Sequence, residues 1–238
     1  MYEKQLYGRR VLRFIYAPPF TELDDISPDD TPNPPYKGAK FYECSVYYYW
    51  WAFLRENSDY IACCERGGTG KHAELYRDFG DVRADDFFKW WRAGGRELFC
   101  ETDGGSIEMI ANGQLVDVDH DRVILSVPIR KEMEHLVAEF RQLIKPIYAK
   151  RRRQNQVSTA RYPIHKRPVV TALHTRLTAY HLRKASTEGQ MTLVEIGKKL
   201  GLYAIDDQQL AILVSKNIRE AQALIKNVVQ GRFPDTSR

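Results

Sequence analysis

The pattern of apolar and polar residues is clearest near the C-terminal end, where it predicts a short helix. Thr192 stands three residues before Glu195, which is the spacing of a capping box at a helix N-terminus. Apolar residues at three- and four-residue spacing then place one stripe on the helix, made of Leu193, Ile196 and Leu200. Gly201 follows where a left-handed C-terminal cap would be required, so the helix is predicted to end there.

A second, longer helix is predicted from Leu210 to Gln230, with Gly231 and Pro234 ending it. Its apolar positions recur every three or four residues and are Leu210, Leu213, Val214, Ile218, Ala221, Leu224, Ile225 and Val228. A short capped helix, a glycine turn and a longer helix with basic outer positions are typical of a helix-turn-helix. The alternative is a helical hairpin that only closes a core.

The N-terminal half predicts a mixture of helices and strands. Helices are predicted at 73–79 and from Asp85 to Gly94-Gly95. Strands are predicted at 5–16, 96–101, 107–111, 114–118 and 123–127, with a hairpin turn at Asn112-Gly113. The predicted fold class is therefore an α+β N-terminal domain, with helices and a small antiparallel sheet, followed by an all-α helix-turn-helix-like C-terminal domain.

An aromatic-rich helix is predicted between residues 41 and 60. Its aromatic residues cover most of its circumference, so the helix is either central to the core or partly exposed for contact. The neighbouring sequence is acidic, which disfavours stacking on nucleic-acid bases. We interpret the helix as core with a docking face for a protein partner, and Tyr48 and Trp51 are the candidate docking residues.

A long amphipathic helix is predicted to start at Pro128 and to end near Pro146. A basic run, Lys150 to Arg153, and a polar, proline-containing stretch follow it. We interpret this part of the chain as a linker between domains. The predicted domains are residues 1–146, a basic linker at 147–168, and the helix-turn-helix-like domain at 169–238.

The net charge of +5 hides a strong asymmetry along the chain. Residues 1–140 carry a balance of −8, residues 141–187 carry +12 with no acidic residue, and residues 188–238 carry +1. An acidic front half joined to a strongly basic segment is typical of a nucleic-acid-binding half beside a regulatory or protein-binding half. A solvated linker is the alternative interpretation of the basic segment.

Motifs for catalysis or cofactor binding are weak in this sequence. The four cysteines include no C-x-x-C pair, and the stretch 66–71 lacks the first glycine of a phosphate-binding loop. We therefore predict no catalytic residues, no metal ligands and no cofactor, and we expect the protein not to be an enzyme. No membrane-spanning run or signal-peptide core is present, so a cytoplasmic location is expected.

Two regions of the chain resemble a known group of proteins. The segment W-W-A-F-L-R-E-N-S-D-Y, at 50–60, resembles the W-x-F-L-R-R-N-x-x-Y helix of certain proteobacterial regulators encoded on integrative and conjugative elements. The stretches L-H-T-R-L, T-L-V-E-I-G-K-K-L-G-L and V-S-K-N-I-R-E-A-Q-A-L-I resemble the helical domain that follows in those proteins. The resemblance implies a helix-turn-helix relative of the kind found in transcriptional activators and in the antiactivators that bind them.

Together these features predict a bacterial, DNA-binding regulator of transcription on a mobile genetic element, with double-stranded DNA as its partner. The predicted DNA contacts are Arg151, Arg152, Arg153, Lys166, Arg167, Lys198, Lys199, Ser215, Lys216 and Arg219. A protein partner at the N-terminal domain and an oligomeric state both stay open. The alternatives are a protein-binding antiactivator or adaptor without DNA binding, and a nucleic-acid-processing component of a mobile element.

Overall fold

Helices make up most of the secondary structure in the computed structural model, which describes residues 2–7, 10–19, 34–101, 124–153, 158–186 and 191–237. The chain forms two compact units. Unit 1 combines Met1–Glu101 with Thr159–Arg238, and unit 2 is Thr102–Ser158. This division differs from the predicted one, because the C-terminal helices belong to the same unit as the N-terminal helices.

The strands of unit 1 form a two-stranded antiparallel pair at the N-terminus. Strand β1 is Tyr2–Tyr7 and strand β2 is Arg10–Phe14, with Leu6 opposite Val11. The amide of Glu101 donates to the carbonyl of Arg13 at 2.8 Å, so the far end of the N-terminal half is joined to β2. The prediction of one strand over 5–16 thus corresponds to parts of two paired strands.

Five α-helices lie in the rest of the described N-terminal half of unit 1. They are α1 Val46–Arg55, α2 Ser58–Glu65, α3 Ala73–Phe79, α4 Phe87–Trp90 and α5 Arg96–Phe99, with a 3-10 turn at Phe41–Cys44 before them. Side-chain caps define the starts of α1 and α2. The Ser45 hydroxyl accepts from the amide of Tyr47, and the Asn57 side chain accepts from the amide of Tyr60.

The predicted α+β fold class is wrong, since the described chain is mainly helical. Residues 96–99 form helix α5 and not a strand, because a π-helical turn at Trp91–Gly95 carries the chain onward from α4. Gly94 has φ of +156° within this turn, a conformation that glycine adopts without a Cβ clash. Residues 124–127 form no strand, and the predicted hairpin at 107–118 lies outside the described residues.

Helix α1 is the centre of the core of unit 1. Almost every side chain from Val46 to Leu54 is buried, which requires neighbours on all sides of the helix. Ring centroids lie 6.2 Å apart for Trp50 and Phe79, and 5.3 Å apart for Trp50 and Phe233. The core therefore joins the N-terminal helices to the last residues of the chain.

Three C-terminal helices complete unit 1: α7 Val170–Ala185, α8 Leu193–Lys199 and α9 Asp207–Val228. Helices α7 and α9 both pack against α1. The Asn57 side chain donates to the carbonyl of Ile225 in α9 at 2.9 Å, and Leu173, Ala221 and Leu224 share the core with α1. The C-terminal helices are thus part of one core with the N-terminal half.

In unit 2 the described element is helix α6, Met133–Arg153. It starts five residues after Pro128 and continues through Pro146 into the basic run. Proline in a helix interior removes one backbone hydrogen bond, and the helix extends on both sides of that position. Arg151, Arg152 and Arg153 therefore lie in the last turn of a helix and not in an extended linker.

Candidate nucleic-acid interface

Local capping interactions set the boundaries of α8 and α9. The Thr192 hydroxyl accepts from the amide of Glu195 at 3.2 Å, and the Glu195 carboxylate accepts from the amide of Thr192 at 2.6 Å. This confirms the predicted capping box. Gly201 has φ of +64°, as a left-handed C-terminal cap requires, and Asp206 caps α9 by accepting from the amide of Gln209 at 2.7 Å.

Helices α8 and α9 pack closely. A Cβ atom placed on Gly197 would lie 2.6 Å from Cγ of Leu210, so glycine is what allows the two helices to approach. Ile196 and Val214 are fully buried beside this contact. The connection at 200–206 is longer than the turn of about 3–4 residues in a typical helix-turn-helix. The pair therefore resembles that motif in its packing, with a longer turn.

The outward face of α9 carries three exposed cations, Lys216, Arg219 and Lys226. The spacing of three and seven residues aligns them along one stripe of the helix. Lys216 lies 4.0 Å from Glu220, while Arg219 and Lys226 make no ion pair with any described residue. Their charges are therefore largely uncompensated.

The N-terminal end of the same stripe is neutral. It presents the exposed side chains of Gln208, Gln209 and Ile212. Ser215, predicted to face outward with Lys216 and Arg219, is half-buried, and its carbonyl accepts a hydrogen bond of 3.4 Å from Nε of Arg219. The outward stripe of α9 thus changes from amide and apolar side chains to cations along its length.

The two lysines that end α8 differ in their surroundings. Lys198 pairs with Asp207 at 3.2 Å, which joins the last turn of α8 to the first turn of α9. Lys199 is exposed and has no ion-pair partner among the described residues. Only Lys199 of the predicted pair is therefore an uncompensated charge.

The basic segment before α8 is partly neutralised in three dimensions. Four of its cations pair with acids that are distant in the sequence: Arg161 with Asp78, Lys166 with Asp235, Arg176 with Glu220, and Lys184 with Glu56. All four of those acids lie in unit 1. A stretch without acidic residues in the sequence is thus not a continuous cationic surface in the described residues.

Lys166 illustrates this correction. Its Nζ lies 2.6 Å from the carboxylate of Asp235, which is fully buried and also accepts hydrogen bonds from Ser237 and Arg232. The hydrogen bonds from Lys166 and Ser237 hold the pKa of Asp235 well below its ordinary value. Lys166 therefore anchors the chain locally, which conflicts with its predicted role in contacting phosphate. Arg167, beside it, is exposed and has no ion pair with a described residue.

The two predicted docking residues lie in different surroundings. Trp51 is only 2% exposed, and its ring packs against Phe87 while Arg55 lies over it at 4.5 Å. Docking through Trp51 is therefore a wrong prediction, because the ring belongs to the core. Tyr48 is half-buried and stacks edge-on against Phe87 at 5.3 Å.

The sequence analysis did not identify three exposed apolar residues near the outward face of α9. Tyr203 and Ile205, in the turn before α9, are 91% and 84% exposed, and Ile212, in the second turn of α9, is 58% exposed. We call these three residues the apolar corner. Helical periodicity could have identified Ile212, because this apolar residue falls outside the buried stripe of α9. Tyr203 and Ile205 lie in irregular chain, where periodicity makes no prediction.

Comparisons of this chain with protein-family models, with curated proteins and with solved structures find no match. Among the described residues, no cluster of three or more histidine, cysteine, aspartate or glutamate side chains is arranged to hold a metal ion. None of the described helices has the length and apolar character to cross a membrane. The interface is therefore interpreted from its own geometry.

Proposed function

We propose that this protein binds double-stranded DNA through the outward face of α9 and acts as a transcriptional regulator. The observation that supports the proposal is the exposed stripe of Lys216, Arg219 and Lys226, whose charges are largely free of local acids. Exposed cations of this kind contact DNA phosphates or guanine edges, and the phosphate contacts supply most of the sequence-independent affinity for DNA. The resemblance to regulators of integrative and conjugative elements supports the same class and a bacterial mobile element as its context.

We assign recognition of the DNA base sequence to the first half of α9. In helix-turn-helix proteins the N-terminal part of the second helix reaches base edges in the major groove. Glutamine pairs with adenine, apolar groups contact the thymine methyl group, and lysine or arginine pairs with guanine. One exposed stripe of α9 offers all three kinds of base contact, from Gln209, Ile212, Lys216 and Arg219.

We assign contacts with the DNA phosphate backbone to exposed lysines and arginines. Among the exposed cations of unit 1 that have no ion pair with a described residue, we assign this contact to Lys199, Lys226 and Arg167, which precedes α7. The triplet Arg151–Arg153, in the last turn of α6 in unit 2, is proposed as a second group of phosphate contacts. Lys166 is not assigned a phosphate contact, because its ammonium group already pairs with the carboxylate of Asp235.

A salt-dependent binding titration against random duplexes tests the phosphate contacts. Replacing Arg151, Arg152 and Arg153 by alanine should flatten the log–log salt slope by up to about 3, since each neutralised phosphate contributes roughly 0.9. The matched control is Arg77→Ala, an exposed arginine on α3. Equal slopes for the triple variant and the wild type would remove that arginine group from the interface.

Selection of binding sites from a random library tests the reading face. Arg219→Ala should relax the preference at one or two base positions, at a cost of roughly 1–3 kcal/mol for the matching base, and should leave random-duplex affinity nearly unchanged. Identical selected sites for wild type and variant would exclude Arg219 from base contact. Metal-dependent breakdown of the DNA during selection would instead favour a nucleic-acid-processing enzyme.

The apolar corner favours a second candidate, a protein-binding antiactivator or adaptor. Tyr203, Ile205 and Ile212 expose apolar surface at the end of α9 that would enter the groove. Exposed apolar clusters are typical of protein-interaction sites. If the wild-type protein enriches no DNA sequence, and the double variant Tyr203→Ser/Ile205→Ser loses a stoichiometric protein complex, the second candidate replaces the first.

A further inference from the structure

An apolar stripe along α6 is exposed. It consists of Met133, Val137, Phe140, Leu143 and Ile147. The intervals of four, three, three and four residues place these side chains along one side of the helix. Met133 is 73% exposed and Leu143 is 58% exposed, so the middle and the start of the stripe are open to solvent.

The spacing of the stripe matches the surface of a paired helix. Apolar residues that alternate at three and four positions form the seam along which two helices interlock. Leu136 and Ile144, half-buried, lie at intervening positions of the same side and widen the seam. The stripe extends over four turns. A site for a small molecule, or for one anchoring side chain of a partner, would not need this length.

The distribution of charge along α6 indicates which helix fits this seam. The first part of the helix carries Glu134 and Glu139 and no lysine or arginine, whereas residues 141–153 carry six lysines and arginines and no acid. An antiparallel second copy sets the acidic part of each helix against the basic part of the other. A parallel copy would set the two basic parts side by side, where like charges repel.

The surface available is enough for a weak dimer. The five exposed side chains offer on the order of 500 Å² per helix, so a pair would bury about 1,000 Å², which is the lower limit for a specific interface. Glu139 pairs with Lys131 within one copy, but both side chains are half-exposed, so this ion pair exchanges at little cost. A dimer of this size is expected to depend on protein concentration.

We infer that α6 is a self-association helix and that two copies of this chain pair through it in antiparallel orientation. The second copy, and not a different protein, is the occupant that both the charge distribution and the helical spacing fit. This inference concerns assembly and does not depend on DNA binding. Its surface shares no residue with the outward face of α9.

Sedimentation equilibrium of the full-length chain over a series of concentrations tests the inference. The wild-type mass should rise from one copy to two, and Leu143→Arg should raise the dimer dissociation constant by about 100-fold, because both copies place a charge in the seam. Val169→Arg is the matched control. Val169 is 59% exposed but lies just before α7, so its variant should dimerise like the wild type.

Salt distinguishes the two orientations. Screening weakens attraction between opposite charges, so added salt should raise the dissociation constant of an antiparallel pair and lower that of a parallel pair. Met133→Arg, at the most exposed position of the stripe, provides a second seam variant with circular dichroism as a check of the fold. The inference is overturned by a wild type that stays monomeric, by a dimer that both seam variants retain, or by a dimer that salt strengthens.

Discussion

Helices α1 and α6 are both rich in apolar residues, but those of α1 are mostly buried and those of α6 are mostly exposed. In α1 nearly all side chains are buried, including Trp50, Trp51 and Phe53. In α6 the apolar stripe remains exposed, with Met133 and Leu143 as its most open positions. The comparison teaches that periodicity predicts which side of a helix is apolar, whereas the rest of the fold decides whether that side is covered.

The same contrast applies to cations. Lysines and arginines of the segment 161–184 are mostly paired with acids of distant sequence, as in Lys166 with Asp235 and Arg176 with Glu220. On α9, Arg219 and Lys226 have no such partner among the described residues. A local excess of positive charge therefore does not by itself identify a nucleic-acid surface, and the exposed remainder after ion pairing is the better guide.

The largest expected difference between α1 and α6 is in stability. Trp51→Ala should lower the free energy of unfolding by about 3–5 kcal/mol, because it leaves a cavity in a packed aromatic core. All four tryptophans lie in unit 1, so the fluorescence of the remaining three in a denaturant titration reports on that unit.

The matched change on α6 is Leu143→Ala, measured by circular dichroism below the concentration at which the chain self-associates. Its effect should be within about 0.5 kcal/mol, as is usual for surface positions. A loss of stability for Trp51→Ala as small as that for Leu143→Ala would contradict the central position of α1 and would reopen a docking role for Trp51.

A smaller effect is expected where glycine allows close packing in the aromatic core. A Cβ atom on Gly95 would lie 2.7 Å from the ring of Trp90. Gly95→Ala should therefore lower the free energy of unfolding by about 1–3 kcal/mol, as overpacking in a filled core does. Thermal melts followed by fluorescence provide the measurement, and Arg92→Ala, exposed in the same π-helical turn, should melt close to the wild type.

The last expected effect is a pH dependence at the junction of α1 with α7. Glu56 accepts hydrogen bonds from His181 and Lys184, each at 2.9 Å, and these two contacts lower the pKa of Glu56 to about 2. A carboxyl group with a depressed pKa in the folded state stabilises the fold above its unfolded pKa of about 4.3, and this contribution is lost as the pH falls toward 2.

Comparing Glu56→Gln with the wild type in denaturant titrations at several pH values tests this. The variant should lose stability near neutral pH and should approach the wild type at acidic pH, where the wild-type carboxyl group is protonated. The matched change Glu134→Gln removes an exposed carboxylate of α6. If the difference between wild type and Glu56→Gln stays constant over the acidic range, Glu56 makes no linked contribution.

Several elements could be predicted from the sequence in detail. Helix α3 has the predicted bounds, and the capping box of Thr192 and Glu195 is formed as predicted. The buried stripe of α9 includes Leu210, Val214 and Leu224 as the periodicity indicates. These features succeed because caps and helical faces depend on residues within four positions of one another.

Other elements could not be predicted from local pattern. The strand expected at 96–101 is a helix, since the π-helical turn with Gly94 continues the chain from α4. At the candidate interface, Lys216 and Arg219 are exposed as predicted, while Lys166 is held by Asp235, which lies 69 positions away. The partner of an ion pair is chosen by the whole fold.

The sequence by itself therefore determined helix α8 with its caps, most of helix α9, the apolar faces of both helices and the positions of the cations. Only the tertiary structure decided that α7 and α9 share a core with α1, that Trp51 is buried and Met133 is exposed, and which cations stay unpaired. The physical reason is range. Backbone hydrogen bonds and helical faces arise between near neighbours, whereas burial and charge compensation arise between segments that folding brings together.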